Sequence, residues 1–393
     1  MYEIDDITAR IILDSRGEKT IEAMVRLSDG SVASASVPQG KSRGSGEAIY
    51  VSVEQAMINI KELVLPALKN SLSIMQKEID GRLKILDGTA NKERLGANTI
   101  LAVSIAVARA AANARGIPLW AHLREMAGVP ILEASHPRLF VNLINGGEHA
   151  KNKLAFQEYL AIIDGANFTE MIEIQASLWS NLKKMFNDQY GDALPLGDEG
   201  GFAPEISDNL EPFRLIKLAA GELIEDGFVS MGTDVAGANA KLTVEERDKL
   251  FDTAMKEYGL IYIEDPYEEN DFASFAKMKA LYGDKLIVTG DDLTVTNSEL
   301  MRTAERNKSI NGVIIKPNQI GSVSEAMEAV RTANSFGWKV IASHRSGETE
   351  DTFIADFAYA VGAFGLKLGV PTQAVRHVKY DRLLEIDKEV SGI

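Results

Sequence analysis

The sequence has no cysteine among its 393 residues. That excludes disulfides, thiolate metal centres and a cysteine nucleophile together. It also lacks a basic excess: 42 Lys and Arg stand against 57 Asp and Glu, a net charge of −15. A general nucleic-acid binder needs a basic face for the phosphate backbone, and docking on anionic lipid needs one too. A signal peptide is not expected from Met1-Tyr2-Glu3-Ile4-Asp5-Asp6, which carries three acids where such a segment is basic and then apolar. No apolar run reaches bilayer length. The longest, Thr99 to Ala112, contains Ser104 and Arg109 and reads as a close-packed buried helix. A soluble, cytoplasmic protein with neither nucleic acid nor membrane as partner is expected.

What is present is an ordinary globular composition, 45% hydrophobic and 25% charged, long enough for two or three domains. Over the first forty residues polar and apolar positions alternate, with Ile11, Ile21, Ala23, Val25 and Leu27 in phase. Asp29-Gly30 supplies a hairpin turn before Ser31 to Val37. From Gly46 to about Arg124 the pattern is helical, punctuated by Gly116-Ile117-Pro118. Residues 1–130 therefore read as an N-terminal α+β capping domain.

Residues 131–393 differ. Short aliphatic runs recur, each followed by a loop and a helical stretch, near Leu139–Asn145, Leu154–Ile163, Leu194–Gly197, Phe228–Asp234, Leu260–Glu264, Leu286–Asp291, Gly312–Lys316, Val340–Ser343 and Phe364–Lys367. Repeated β and α elements suggest a parallel barrel or a doubly wound sheet. A Gly-rich dinucleotide fingerprint and a Walker-type phosphate loop are both missing, which favours a TIM-type (β/α)8 barrel.

The ends of these runs carry the chemistry. Successive strands stop at Asp234, Glu264, Asp291, Lys316 and His344, at intervals of 30, 27, 25 and 28 residues. Each interval is about one βα unit, so these side chains gather at the C-terminal face of a barrel, where active sites lie. A lone strand-end carboxylate is ordinarily a helix cap or a surface charge; five ionisable ends at consecutive intervals are not readily explained that way. Three carboxylates side by side call for a cation, and oxygen ligands suit Mg2+. Lys316, one strand on, suits a base for proton abstraction next to a carboxylate.

Ile314-Ile315-Lys316-Pro317-Asn318-Gln319-Ile320-Gly321-Ser322 resembles the signature of the enolase family. Ser343-His344-Arg345-Ser346-Gly347-Glu348, Gly197-Asp198-Glu199-Gly200-Gly201 and Asn145-Gly146-Gly147-Glu148-His149 are similar to it as well, as are Asp14-Ser15-Arg16-Gly17 and Leu95-Gly96-Ala97-Asn98. The resemblance spans nearly the whole chain. It implies dehydration of 2-phosphoglycerate to phosphoenolpyruvate with two Mg2+ per site, the first held by Asp234, Glu264 and Asp291 and the second reached by Ser42. It implies Lys316 as the base and Glu199 as the acid, supported by Glu158 beside Gln157. His149, Arg345 and Ser346 align around the phosphate, His344 lines the pocket, and Lys367 lies at the substrate's carboxylate end. A small anionic phosphorylated substrate and a homo-oligomer, a dimer or a dimer of dimers up to an octamer, follow from the same resemblance. His122, His136 and His377 lie outside the motifs and read as structural or surface residues.

Some positions depart from the family. The first mobile loop, Pro38-Gln39-Gly40-Lys41-Ser42-Arg43-Gly44, carries two extra cations, either structural or reading another anionic group. A second mobile loop after Ala48 is missing, Val235 to Asn239 is short, and Thr372-Gln373-Ala374-Val375-Arg376 keeps little of the family's polar pattern there. The alternative reading is an enolase-derived paralogue acting on a related phosphorylated or phosphonate acid; a catalytically idle homologue is a third, disfavoured by the intact acid, base and carboxylate set.

Overall fold

The computed structural model describes residues 2–41, 44–128, 136–191 and 194–392. Strands β1 (Ile4–Leu13), β2 (Lys19–Leu27) and β3 (Val32–Ser36) form one antiparallel sheet in chain order. Asp29-Gly30 makes the tight connection between β2 and β3, with Gly30 at φ +91°, which glycine adopts without a Cβ clash. Alternation along β2 buries Ile21, Ala23, Val25 and Leu27 on one face. Ile11, opposite Ile21 in the ladder, departs from the pattern at 38% exposed.

The expected helical run from Gly46 starts later. Its first helix is Val53–Asn59, where the Ser52 hydroxyl accepts the Gln55 N–H and caps the free end. Helices Gln76–Asp87, Ala97–Arg115 and Leu119–Ala127 follow, the last two separated by a left-handed Gly116 and by Pro118. Ala97–Arg115 packs on β2 and β3, its alanines allowing close approach. Among the described residues it is the one helix long and apolar enough to cross a membrane, and 83% of that stretch is buried inside the molecule, as in a core helix. The expected domain boundary between residues 130 and 131 lies outside the described residues.

The rest of the chain closes eight strands into a barrel: β4 (Arg138–Asn145), β5 (Glu158–Ile163), β6 (Val229–Asp234), β7 (Leu260–Glu264), β8 (Ile287–Gly290), β9 (Gly312–Ile315), β10 (Lys339–Ser343) and β11 (Gly365–Lys367). Around the ring they run in chain order, with β11 closing on β4. The barrel is not wholly parallel, as the run of βα units had suggested. β5 pairs antiparallel with both β4 and β6, because a loop rather than a full crossover helix joins β4 to β5. Two expected strands also change. Leu154–Ile163 becomes a strand only from Glu158, and Leu194–Gly197 is irregular with one isolated bridge, Leu196 to Phe202, leading into a turn at Asp198-Glu199. Glycine at 197 and 201 explains that turn: a Cβ at either would lie 2.5 Å from the Asn145 side chain.

Candidate active site

The strands deliver the side chains that the sequence singles out to one end of the barrel. Asp234, Glu264 and Lys367 are the last residues of β6, β7 and β11; Asp291, Lys316 and His344 immediately follow β8, β9 and β10. The reversal of β5 brings Glu158, its first residue, to the same mouth, paired in register with Asp234. Two arcs result. Asp234, Glu264 and Asp291 lie between β5 and β9, while β10, β11 and β4 supply His344, Arg345, Lys367 and Asn142 on the other side. Lys316 and Glu158 stand on strands four apart in an eight-stranded ring, and so face each other across the mouth. His149, Gln157, Glu199 and Ser346 line the same cleft, a narrow one with a cavity volume of about 40 Å³. Ser42 and Arg43 lie outside the described residues.

Buried charges of both signs are interleaved. The Lys367 ammonium lies 2.6 Å from Glu264, 3.1 Å from Glu158 and 3.4 Å from Asp234. Lys316 donates to Asp291. Burial works against the Lys316 ammonium, but the neighbouring carboxylates, Asp291 foremost and then Glu264, together raise the lysine pKa above its ordinary value. Burial, then repulsion from Asp234, pushes the Glu264 carboxyl up to about 8. Its Oε2 accepts the Tyr262 hydroxyl at 2.7 Å, while Oε1 is buried with no hydrogen-bond partner. This mouth has an unmet demand for positive charge, and its donors are all carboxylate oxygens. The set fits a hard divalent cation.

The two glutamates expected to handle protons are split by their surroundings. Burial and the charge of Glu199 raise the Glu158 carboxyl well above its usual range. Burial also penalises Glu199, but His344, His149 and Arg376 hold it well below that range. Asn142 Nδ2 donates to Glu199 Oε2 at 3.1 Å, and His344 Nε2 faces the same oxygen at 3.5 Å. Without substrate, the proton of the pair therefore resides on Glu158.

The loop after β10 is tied down from the N-terminal part. Arg345 makes a two-pronged pair with Glu47, at 2.9 and 3.1 Å. Ser346 Oγ accepts the Lys41 N–H at 2.9 Å, and the Lys41 ammonium donates to Asp198 and to the Glu148 carbonyl, each at 3.0 Å. Of the two readings left open for the loop cations, Lys41 takes the structural one.

Sequence reasoning missed several neighbours. Glu47 is 298 residues from the arginine it holds. Asp265, next to Glu264, accepts the backbone N–H groups of Asp291 and Asp292 at 2.9 and 2.8 Å and so fixes that turn. The oxygens of these three aspartates lie within 4.8 Å of one another, as do ligand atoms of His149, Glu158 and Glu199. Gln319, inside the recognised signature, donates to Asp291 at 3.0 Å. The doubled acids at 264–265 and 291–292 were the available signal.

Comparison with known proteins agrees with this arrangement. The family model described as the enolase N-terminal domain matches residues 4–123, and that of the enolase C-terminal TIM barrel domain matches 133–240 and 235–392. "Enolase 2" of Hevea brasiliensis is 40% identical over 427 residues, covering 99% of this chain and 96% of that protein. "Enolase" of Solanum lycopersicum is 39% identical, covering 100% and 96%, and that of Methanopyrus kandleri 38%, covering 100% and 97%. Matched along its length by both domain models and by full-length relatives, the chain belongs to the enolase family of lyases.

Proposed function

We propose that this chain catalyses the reversible dehydration of 2-phosphoglycerate to phosphoenolpyruvate, with Mg2+ as the divalent cation. The observation that carries the reading is the placement of Lys316 and Glu158 on opposite strands of the ring, with three carboxylates on the arc between them. An elimination needs a base on one side of the substrate and a proton donor on the other.

Lys316 accepts the C2 proton. Glu199 takes the proton held by the neighbouring Glu158 and delivers it to the C3 hydroxyl, which leaves as water when its C–O bond breaks. Arg345, Ser346 and His149 surround the phosphate, Lys367 takes the carboxylate end, and Gln157 and His344 close the wall. Asp234, Glu264 and Asp291 would hold the first Mg2+ and Ser42 would reach the second. Ions held there would supply positive charge to stabilise an enolate, and Asp291, engaged as a ligand, would no longer hold the Lys316 ammonium. The protein works as a cytoplasmic homo-oligomer, a dimer or a dimer of dimers up to an octamer.

The test is ultraviolet absorbance of the enol product in 2-phosphoglycerate and Mg2+. Turnover is expected, lost with a chelator and lowered about 10³- to 10⁴-fold in Lys316→Ala. Bound Mg2+ without turnover would overturn the substrate assignment and return the paralogue reading.

A further inference from the structure

Arg376 is fully buried in the helix Ala374–Ser391, a region where the chain otherwise departs from its family. Its guanidinium contacts two active-site loops at once. One terminal nitrogen donates to the carbonyls of Asp198 and Ser346, at 3.2 and 3.1 Å, and the other meets His344 Nδ1. The remaining Nε–H donates to Gln373 at 3.2 Å.

A guanidinium has only donors, so the Nδ1 that meets it must offer its lone pair. The ring hydrogen then sits on Nε2, the atom facing Glu199 Oε2 at 3.5 Å. Gly369 (φ +70°) closes the ring in: a Cβ there would lie 3.0 Å from His344 Cε1 and 3.1 Å from Arg376 Cδ. We propose, building on the enolase reading above, that Arg376 is a positioning residue that locks His344 as the neutral Nε2–H imidazole. Held so, His344 directs a hydrogen bond at Glu199 and takes up no proton during turnover. The proton that leaves with the hydroxyl comes from the glutamate pair alone.

The charged groups facing the ring are Arg376 from the C-terminal helix, Glu199 from the loop before Gly200, and Glu348 from its own loop, itself paired with Lys379 at 2.9 Å. Burial and then Arg376 press the imidazole pKa down to about 4, in line with the geometry.

The experiment uses protein labelled with 15N-histidine. There are five histidines, and His344→Gln identifies the relevant ring by its lost signals. Long-range 1H–15N spectra should show the neutral Nε2–H pattern from pH 8 down to about 5; an Nδ1–H pattern or an imidazolium at pH 7 overturns the proposal. This readout does not depend on turnover, so it stands apart from the substrate assignment. In Arg376→Gln the ring should titrate at a higher pH than in the parent, part of the way back toward the ordinary value, because burial still holds it down. With 2-phosphoglycerate, kcat should fall about 10- to 100-fold, KM should stay within about threefold, and the acid loss of kcat should move to higher pH than in the parent, because an imidazolium holds Glu199 ionised. Arg376→Lys, which keeps a donor, should recover much of kcat. A fall in kcat with an unchanged pH profile would leave Arg376 as scaffold only and overturn its role on the ring.

Discussion

The helix Ala97–Arg115 and the barrel mouth are both buried, and burial acts on them in opposite ways. On the helix it removes apolar surface from water. Ile100, Leu101, Val103, Ile105 and Val107 are buried against the sheet and the barrel; among the polar members the Thr99 hydroxyl is buried without a partner, while Ser104 and Arg109 are satisfied. Ser104 accepts the Val323 N–H at 3.0 Å, and Arg109 pairs with Asp351 at 2.9 Å. At the mouth, burial forces like charges together: Glu264 is pushed up to about 8 and Asp292 to about 7, each first by desolvation and then by a neighbouring aspartate. The apolar part supplies the stability that lets the mouth keep groups which repel one another.

Removing a cation from the mouth should have the largest effect on stability. Lys367→Met leaves Glu158, Asp234 and Glu264 without their shared ammonium, and urea denaturation without metal should show a loss of about 3–5 kcal/mol. Added Mg2+ should restore part of it. An unchanged midpoint would mean that the acids are already neutral and would erase the contrast between the two regions.

A smaller effect tests the other side. His122, on the helix Leu119–Ala127, is buried, and desolvation followed by Arg115 lowers its pKa to about 4. A depressed histidine pKa gives stability that is present above the unfolded value of about 6.5 and lost as pH falls from there to about 4. At pH 5 the loss from this one group should be about 2 kcal/mol relative to pH 7, and His122→Gln should flatten it in urea titrations at the two pH values. Turnover measured at pH 7 should not follow.

The smallest effect belongs to the seam between the regions. Lys41 and Asp198 are 43% and 33% exposed at their side chains, so their pair is worth about 1 kcal/mol or less. Lys41→Ala should raise KM for 2-phosphoglycerate about two- to threefold and leave kcat nearly unchanged. A large loss of kcat would instead assign Lys41 to the substrate.

Much of the mouth was legible because strand ends recur with the βα interval, and that spacing survives translation into geometry. Asp234, Glu264, Asp291, Lys316 and His344 gather as the intervals required. Glu158 was harder to place, since its position depends on β5 running backwards; the absence of a full crossover helix after Asn145 was the clue. The supporting shell was not legible. Glu47, Asn142 and Arg376 reach the mouth from three elements distant in sequence, through contacts that no local pattern encodes. The expected strand at Leu194–Gly197 failed for a related reason. Its aliphatic character was visible, but the demand for bare backbone at Gly197 and Gly201 comes from Asn145, about fifty residues earlier.

The pair between Glu47 and Arg345 also sets a timetable. Its partners are separated by 298 residues, which at a synthesis rate of about 5–20 residues per second is a delay of roughly 15–60 s. The β1–β3 sheet has all its own strands within the first 36 residues and needs none from the barrel to pair. Glu47 spends that interval without its arginine, and Arg345, Lys367 and Arg376 emerge after nearly everything else. The mouth therefore cannot assemble until translation is almost complete.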